Sequence, residues 1–130
     1  MGSGKISIVA LSDKREQLQM AAMVASVGAV SGHTVLVFVS MNALRYFVKG
    51  RREPAPAEGP VGRILDEKKV TPFQDLFANA VELGGARIHP CSMAVDVLGV
   101  QTGDLEPWMG EPMGLMQFLD EAEGGQFWSF

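Results

Sequence analysis

Cysteine is almost absent from this chain of 130 residues, which contains Cys91 alone. A single cysteine cannot form an intramolecular disulfide, so nothing in the composition points to an oxidising compartment. Histidine is nearly as scarce, with only His33 and His89. One cysteine and two histidines are too few for the ligand sets of structural zinc sites, and we expect no metal site. Chemistry carried by a thiol therefore has one candidate, Cys91.

The chain also lacks an excess of basic residues and a long hydrophobic run. Its net charge is −4, whereas nucleic-acid-binding domains usually carry a basic patch, so we expect no nucleic-acid partner. The longest apolar stretch, Met20 to Val30, is shorter than the roughly 20 residues that a spanning helix needs. No secretory signal peptide is expected, because Lys5 leads directly into a strand-like segment. These features predict a cytoplasmic protein without a membrane span.

Glycine-rich phosphate loops are missing as well. The run Gly2-Ser3-Gly4-Lys5 fails as a P-loop, because Ile6 stands where serine or threonine is required and the strand follows the run. No Gly-x-Gly-x-x-Gly motif follows the first predicted strand, so a dinucleotide site is poorly supported. We therefore expect no cofactor.

What the chain does contain is a regular alternation of strand-like and helix-like segments. Two β-branched apolar runs are typical of strands buried on both faces, and a helix-like segment lies between them. This rhythm predicts a single α/β domain over residues 1–130, a three-layer α/β/α sandwich with a mostly parallel sheet of about five strands. The predicted strands are Ile6 to Leu11, Thr34 to Val39, Ala86 to His89, a brief one around Trp108 and Met109, and Gln126 to Phe130.

The first predicted helix is unusual in being apolar on nearly every side from Leu18 onward. Ser12 and Asp13 supply its N-cap, and Glu16 stands at capping-box spacing from Asp13. One sheet covers only one side of a helix, so we expect a second subunit to cover another and the protein to be a homo-oligomer. The predicted helices are Asp13 to Val30, Met41 to Lys49, Pro72 to Leu83 with Thr71 as N-cap, a helix after Cys91 that stops at Gly99, and Pro112 to Ala122.

Residues 50–62 contain three prolines and three glycines, which predicts a mobile loop without regular structure. Segments that follow parallel strands share one edge of the sheet, so we expect this loop on the same side as Cys91. Arg51, Arg52 and Arg63 give it a local positive field that would favour a thiolate and steer an acidic partner. The alternative is a solvated connector with no role.

Cys91 stands where a predicted strand meets a predicted helix. The strand ends at His89, Pro90 follows, and a helix-compatible run begins after Cys91. Ligands and reactive groups of open α/β sheets gather at this edge, and the N–H groups of a helix's first turn favour an anion there, including a thiolate. Cys91 is thus the candidate catalytic residue, with His89, Ser92 and Met93 as supporting candidates. The alternative is a buried core cysteine.

The segment Cys91-Ser92-Met93-Ala94-Val95-Asp96-Val97-Leu98-Gly99 resembles the single-cysteine branch of the DsrE/DsrF/DsrH-like sulfur-relay family, whose members are often labelled peroxiredoxin-like. The run from Phe38 to Arg45 is similar to the family's second strand and its short Gly-Leu-Asn-type helix, with Met41 where a glycine is expected. The segment from Glu106 to Pro112 departs from the family's usual β-rich stretch.

This resemblance implies a sulfurtransferase or carrier in which Cys91 takes sulfane sulfur as a persulfide and passes it to a partner thiol. It implies a TusA-like carrier or a rhodanese-type donor as partner, a compact oligomer, and no metal or cofactor. Two alternatives remain open: a non-catalytic interaction subunit of a sulfur-relay complex, and a flavodoxin-like domain that binds a small ligand. A thiol peroxidase is disfavoured, because a resolving cysteine and a Thr-x-x-Cys motif are missing.

Overall fold

The computed structural model describes residues 4–50 and 54–130, which form a parallel sheet flanked by helices. The strands are β1 (Lys5–Ala10), β2 (Thr34–Val39), β3 (Arg87–Pro90) and β4 (Gln126–Ser129). The helices are α1 (Arg15–Val30), α2 (Pro60–Glu67), α3 (Phe73–Glu82), α4 (Ser92–Leu98) and α5 (Leu115–Ala122), with 3-10 helices at Met41–Phe47 and Thr102–Asp104. The strand order is β3-β2-β1-β4, and all pairs are parallel. The predicted fold class is confirmed, with four strands instead of about five.

The strand predicted around Trp108 and Met109 does not form. The chain there runs beside the outer edge of β3 and makes isolated backbone hydrogen bonds, such as the one that the Gly110 N–H donates to the Ile88 carbonyl at 2.8 Å. Pro107 and Pro112 flank this stretch, and proline has no N–H to donate to a β ladder. The prolines at both ends therefore prevent this stretch from forming a regular strand.

The two faces of the sheet carry different helices. On one face Gly28 of α1 lies against β1 and β2, since a Cβ placed on it would be 3.0 Å from Ile6 and 3.3 Å from Val35. On the other face Phe38 stacks on Phe118 of α5 with ring centroids 4.9 Å apart. Successive strand side chains point to opposite faces, and these contacts follow that alternation. The result is the predicted arrangement of three layers.

Helix boundaries differ from the predictions by one to three residues in most cases. The helix predicted from Pro72 is α3, which begins at Phe73, and Thr71 makes no side-chain cap. The helix predicted from Met41 is a 3-10 helix. The Cys91 helix ends at Gly99 as predicted, and φ of +68° there is a conformation that favours glycine. Within the described ranges, no helix has both the length and the apolarity needed to cross a membrane.

The predicted start of α1 is wrong. The helix begins at Arg15, its N-cap residue is Lys14, and no side chain caps it. Ser12 acts just before the helix, where its Oγ accepts a hydrogen bond from the Lys14 N–H at 2.9 Å. Glu16 does not close a capping box with Asp13, because its carboxylate is bound by a distant part of the chain.

That carboxylate is held by three backbone N–H groups. Those of Glu58, Gly59 and Gly62 donate to it at 2.9, 2.7 and 3.1 Å. Backbone hydrogen bonds, of which the one from the Glu58 N–H has the largest effect, lower the pKa of Glu16 from 4.5 to about 2. The glutamate thus caps the start of α2 from another helix.

Helix α2 was not predicted, and its first three residues fall inside the stretch expected to be an irregular loop. That prediction is therefore wrong for residues 60–62. The proline at position 60 is a common first residue of a helix, but eight residues with a glycine give a weak sequence signal. Residues 51–53 lie outside the described part of the chain, so the positive field of Arg51 and Arg52 stays a prediction.

Residues 54–59 of that stretch are anchored to α1. Arg15 donates from Nε to the Ala55 carbonyl at 2.8 Å and from Nη1 to the Gly62 carbonyl at 3.0 Å. It also pairs with Asp66 at 2.5 Å, and its backbone N–H donates to Pro56. Ala55 has no exposed surface. The segment therefore packs on the first turn of α1 instead of extending free into solvent.

Replacing Glu16 by glutamine should change how stability depends on pH. The folded-state pKa of about 2 lies below the ordinary 4.5, so the carboxylate's contribution is complete above pH 4.5 and is lost as pH falls toward 2. We expect the free energy of unfolding of Glu16→Gln to fall less than that of the unaltered protein across this window. Urea unfolding at several pH values measures it, with Glu67→Gln as the control at an exposed position. Equal pH dependence in the unaltered protein and Glu16→Gln would contradict the expectation.

Candidate functional site

Cys91 lies at the carboxyl edge of the sheet, between β3 and α4, where the sequence predicted it. Its N–H donates to the Val39 carbonyl of β2 at 2.8 Å, which continues the sheet ladder past the end of β3. Its carbonyl accepts the Val95 N–H at 3.0 Å. Cys91 is the N-cap residue of α4. The backbone on both sides of the thiol is therefore fixed by regular structure.

A second segment holds the same position from the opposite side. Met113 donates its N–H to the Pro90 carbonyl at 2.9 Å, and its carbonyl accepts the Ser92 N–H at 3.0 Å. These bonds form an isolated parallel bridge between Cys91 and Met113. Met113 is buried. The chain that leads into α5 thus forms one side of the cysteine's surroundings.

The Cys91 side chain is only 6% exposed, but it borders a cavity of about 250 Å³. We call this the Cys91 cavity. None of the described side chains that line it carries a charge, and the polar ones among them, other than the thiol, are two serines. The lining residues are Val9, Leu11, Phe38, Ser40, Met41, Cys91, Ser92, Met93 and Leu115. Cys91 is thus a member of the buried core that also borders a cavity.

Of the three supporting candidates, Ser92 and Met93 share the Cys91 cavity and His89 does not. His89 Nδ1 is 2.7 Å from the Glu111 carbonyl oxygen, so Nδ1 is assigned as the protonated nitrogen. Its Nε2 is buried without a hydrogen-bond partner in the described part of the chain. The ring lines a separate cavity of about 220 Å³ beside Trp108. His89 thus contacts the chain before α5 and does not line the Cys91 cavity.

A sequence model of the DsrE/DsrF/DrsH-like family matches residues 56–128, more than half of the chain and a range that includes Cys91. The chain belongs to this family. No curated protein matches the chain.

Two solved structures have the same DsrE-like fold. The ychN protein from E. coli is 18% identical, with a TM-score of 0.63 over 97% of this chain and 98% of that one. MTH1491 from Methanobacterium thermoautotrophicum, a protein of unknown function, is 10% identical, with a TM-score of 0.63 over 99% of this chain and 100% of that one. At these identities the likeness concerns the fold alone.

One residue in the wall of the Cys91 cavity of this DsrE-like chain has an unusual backbone. Met41, which stands where the resemblance leads one to expect glycine, has φ of +50°. A residue with a Cβ atom pays about 1–2 kcal/mol of backbone strain in this left-handed conformation, so glycine is the usual residue there. Met41 is 53% exposed and lines the cavity. Its side chain therefore adds apolar surface at the mouth, at a cost in backbone energy.

Several lining residues were not recognised as site residues from the sequence. Val9 and Phe38 were predicted only as buried strand residues. Their positions near the carboxyl ends of β1 and β2 could have marked them as residues of a site at that edge. Leu115 gives no such signal, because its position depends on the irregular path of the chain before α5. Among the described residues, no group of three His, Cys, Asp or Glu side chains is placed to hold a metal ion.

The proline-rich segment shares the sheet edge with Cys91, but not the face. Its described residues contact the first turn of α1, and α1 packs on the face opposite to Phe38 and the Cys91 cavity. None of residues 54–62 lines that cavity. Arg63 belongs to α2, so the structure gives no contact through which its charge acts directly on the thiol.

Adding a methyl group at Gly110 should disturb the packing of His89 against the chain before α5 in this DsrE-like fold. A Cβ there would lie 2.6 Å from His89 Nδ1, so the ring or the segment must move. We expect Gly110→Ala to lower the free energy of unfolding by about 1–3 kcal/mol, measured by urea denaturation. Gly103→Ala is the control, since its Cβ meets nothing within 4 Å, and it should change stability by less than about 0.5 kcal/mol. Equal effects would rule out the steric explanation.

Proposed function

We propose that this protein is a sulfur carrier or sulfurtransferase that holds sulfane sulfur as a persulfide on Cys91 and passes it to a partner thiol. Membership of the DsrE-like family supports a role in sulfur relay in general. The observation that carries the finer proposal is the position of Cys91, the sole cysteine, at the N-cap of α4 and on the wall of a cavity.

The N-cap position suits an anionic sulfur. N-cap side chains accept hydrogen bonds from the N–H groups two and three residues further on, which have no partner within the helix. For Cys91 these belong to Met93 and Ala94, whereas the Ser92 N–H is bound to Met113. The Cys91 Sγ makes no capping hydrogen bond in this structure. A thiolate, or the terminal sulfur of a persulfide, would gain these donors without help from a charged side chain among the described residues of the cavity wall.

Sulfur transfer by thiol–persulfide exchange needs only these parts. The Cys91 thiolate attacks the outer sulfur of a donor persulfide R–S–SH, the S–S bond of the donor breaks, and R–S⁻ leaves with the electron pair. Cys91–S–SH then gives its outer sulfur to an acceptor thiolate by the same exchange. No net oxidation occurs. Ser92 and Met93 act as lining residues that orient the incoming group.

The proposed partners are protein thiols. A TusA-like carrier as acceptor and a rhodanese-type enzyme as donor follow from the family resemblance, and both chemistries use the exchange described above. A cytoplasmic location would keep Cys91 reduced between turnovers. The lining residues Leu11, Met41, Met93 and Leu115 are 40–57% exposed, and a partner cysteine would approach over this exposed part of the wall.

Self-association is proposed from the outer side of α1. One side of this helix is buried, but Met20, Met23, Val27 and Val30 are 47, 43, 65 and 69% exposed. Four apolar side chains on one helix form a surface that subunits usually cover. Light scattering at micromolar concentration is expected to give a multiple of 14.0 kDa. A particle of 14.0 kDa would contradict the proposal.

Mass spectrometry tests the carrier proposal. Reduced protein incubated with polysulfide and then desalted is expected to gain about 32 Da, one sulfur atom, on the peptide that contains Cys91. Dithiothreitol should remove the added mass. If the cysteine gains no sulfur from polysulfide or from a donor enzyme, the protein is better described as an interaction subunit with a spectator cysteine.

A further inference from the structure

We infer that the Cys91 cavity favours as sulfur donor the protonated, uncharged form of a hydrodisulfide R–S–SH, in which R is a small hydrocarbon group, and takes sulfur more slowly from anionic donors such as thiosulfate and polysulfide. This inference rests on the proposed function, because it names the substrate class of the same site. It concerns the cavity wall, not the thiol.

The composition of the wall carries the inference. Phe38, Leu115, Met41 and Met93 present hydrocarbon or thioether surface around Cys91, and among residues 4–50 and 54–130 no lysine, arginine or histidine lines the cavity. A dianion that entered would lose water without gaining a cation, which is strongly unfavourable. An uncharged hydrocarbon group gains free energy by the same transfer. The two serine hydroxyls are too few to replace the hydration shell of a dianion.

The dimensions of the cavity fit a group of benzyl size. Its volume is about 250 Å³, and an apolar protein cavity of about 150 Å³ is large enough to bind benzene. A groove of about 390 Å³ continues from the same mouth, sharing Leu11, Met41 and Met93 and extending to Val97 and Leu98. A longer alkyl group would therefore continue into the groove.

The reaction within the cavity is the balanced exchange proposed above. The Cys91 thiolate forms a bond to the outer sulfur of R–S–SH, the S–S bond of the donor breaks, and R–S⁻ takes a proton from solvent. The products are Cys91–S–SH and the neutral thiol R–SH. The hydrocarbon group stays in the apolar cavity until the thiol departs, so its binding requires no charged residue.

Equilibrium binding tests the selectivity without any chemistry. Cys91→Ser protein is titrated with benzyl methyl sulfide, a neutral mimic that cannot transfer sulfur, and separately with sodium thiosulfate, while NMR follows methyl signals. Benzyl methyl sulfide should bind at least about tenfold more tightly and shift the signals of Val9, Leu115 and Met93, as expected for burial of a hydrocarbon group. Equal or tighter binding of thiosulfate, or no binding of the sulfide, overturns the inference.

Two methionine variants locate the effect. Met93 and Met116 are each the second residue of a helix and are 51 and 78% exposed, but only Met93 lines the cavity. In the protein that retains Cys91, benzyl hydrodisulfide should load sulfur at least about tenfold faster than thiosulfate. Met93→Lys should reduce this ratio at least fivefold, by adding a cation that favours the anion, and Met116→Lys should leave it unchanged.

These outcomes separate the inference from the proposed function. Fast loading from thiosulfate, or equal ratios in the two lysine variants, overturns the inference while Cys91 remains a sulfur carrier. Tight binding of benzyl methyl sulfide to Cys91→Ser, with no donor adding sulfur to Cys91, overturns the proposed function and leaves only the apolar selectivity.

Discussion

Replacing Cys91 by serine is expected to abolish sulfur uptake, reducing persulfide formation by more than about a hundredfold, to background. The sulfur atom is the nucleophile and the site of storage, and a serine hydroxyl is too weakly acidic to replace it at neutral pH. Stopped incubations with polysulfide, read by intact mass, measure the effect.

The fold should survive this substitution. Serine is a preferred N-cap residue, so the start of α4 keeps its cap, and the backbone bonds of position 91 to Val39 and Val95 are unaffected. The control is Ser129→Ala, which removes an exposed hydroxyl of β4 outside the cavity lining and retains the thiol. It should take up sulfur within a few-fold of the unaltered protein. Uptake by Cys91→Ser at the normal rate would remove Cys91 from the mechanism.

The largest loss of stability is expected from Phe118→Ala. Phe118 has no exposed surface, and its ring stacks on Phe38 with centroids 4.9 Å apart. Removing a buried aromatic ring costs about 3–5 kcal/mol through lost burial and the cavity left behind. Since domains of this size are typically stable by about 5–15 kcal/mol, urea unfolding should show a large shift of the midpoint. Phe38 also lines the Cys91 cavity, so slower sulfur uptake should accompany the loss.

The matched control is a phenylalanine that contacts the same ring. Phe127 packs edge-on against Phe118 with centroids 5.7 Å apart but is 51% exposed. Because its burial is incomplete, Phe127→Ala should cost less than about 1.5 kcal/mol. Comparable losses in the two variants would show that the α5 layer is not the core that these contacts indicate.

Predictions from the sequence succeeded where a local sequence pattern is compatible with only one kind of secondary structure. The second strand was predicted with its observed limits, Thr34–Val39, because a β-branched run between a Gly-ended helix and a polar residue has few alternative structures. Cys91 was placed correctly for a similar reason, since a strand, a proline and a helical pattern follow directly on one another. The placement of the thiol is therefore a local property of the sequence.

Predictions failed where a residue's role depends on a partner distant in the chain. Glu16 was assigned to a local capping box, but its carboxylate binds N–H groups from Glu58 to Gly62, more than 40 residues away. Those contacts also support α2, which residues 60–67 would signal only weakly alone. The separation of His89 from the Cys91 cavity and the approach of Leu115 both depend on the irregular path before α5. Local patterns contain no information about such packing.

The central claim, that Cys91 holds sulfur and passes it on, is tested most directly by following one labelled sulfur atom. The protein is loaded with ³⁴S polysulfide, freed of excess reagent, and mixed with a reduced TusA-like carrier in a single-turnover experiment read by peptide mass spectrometry. The account predicts that the label leaves the Cys91 peptide and appears on the carrier's cysteine at the same rate. Label that stays on Cys91, or is released only as free sulfide, would contradict it.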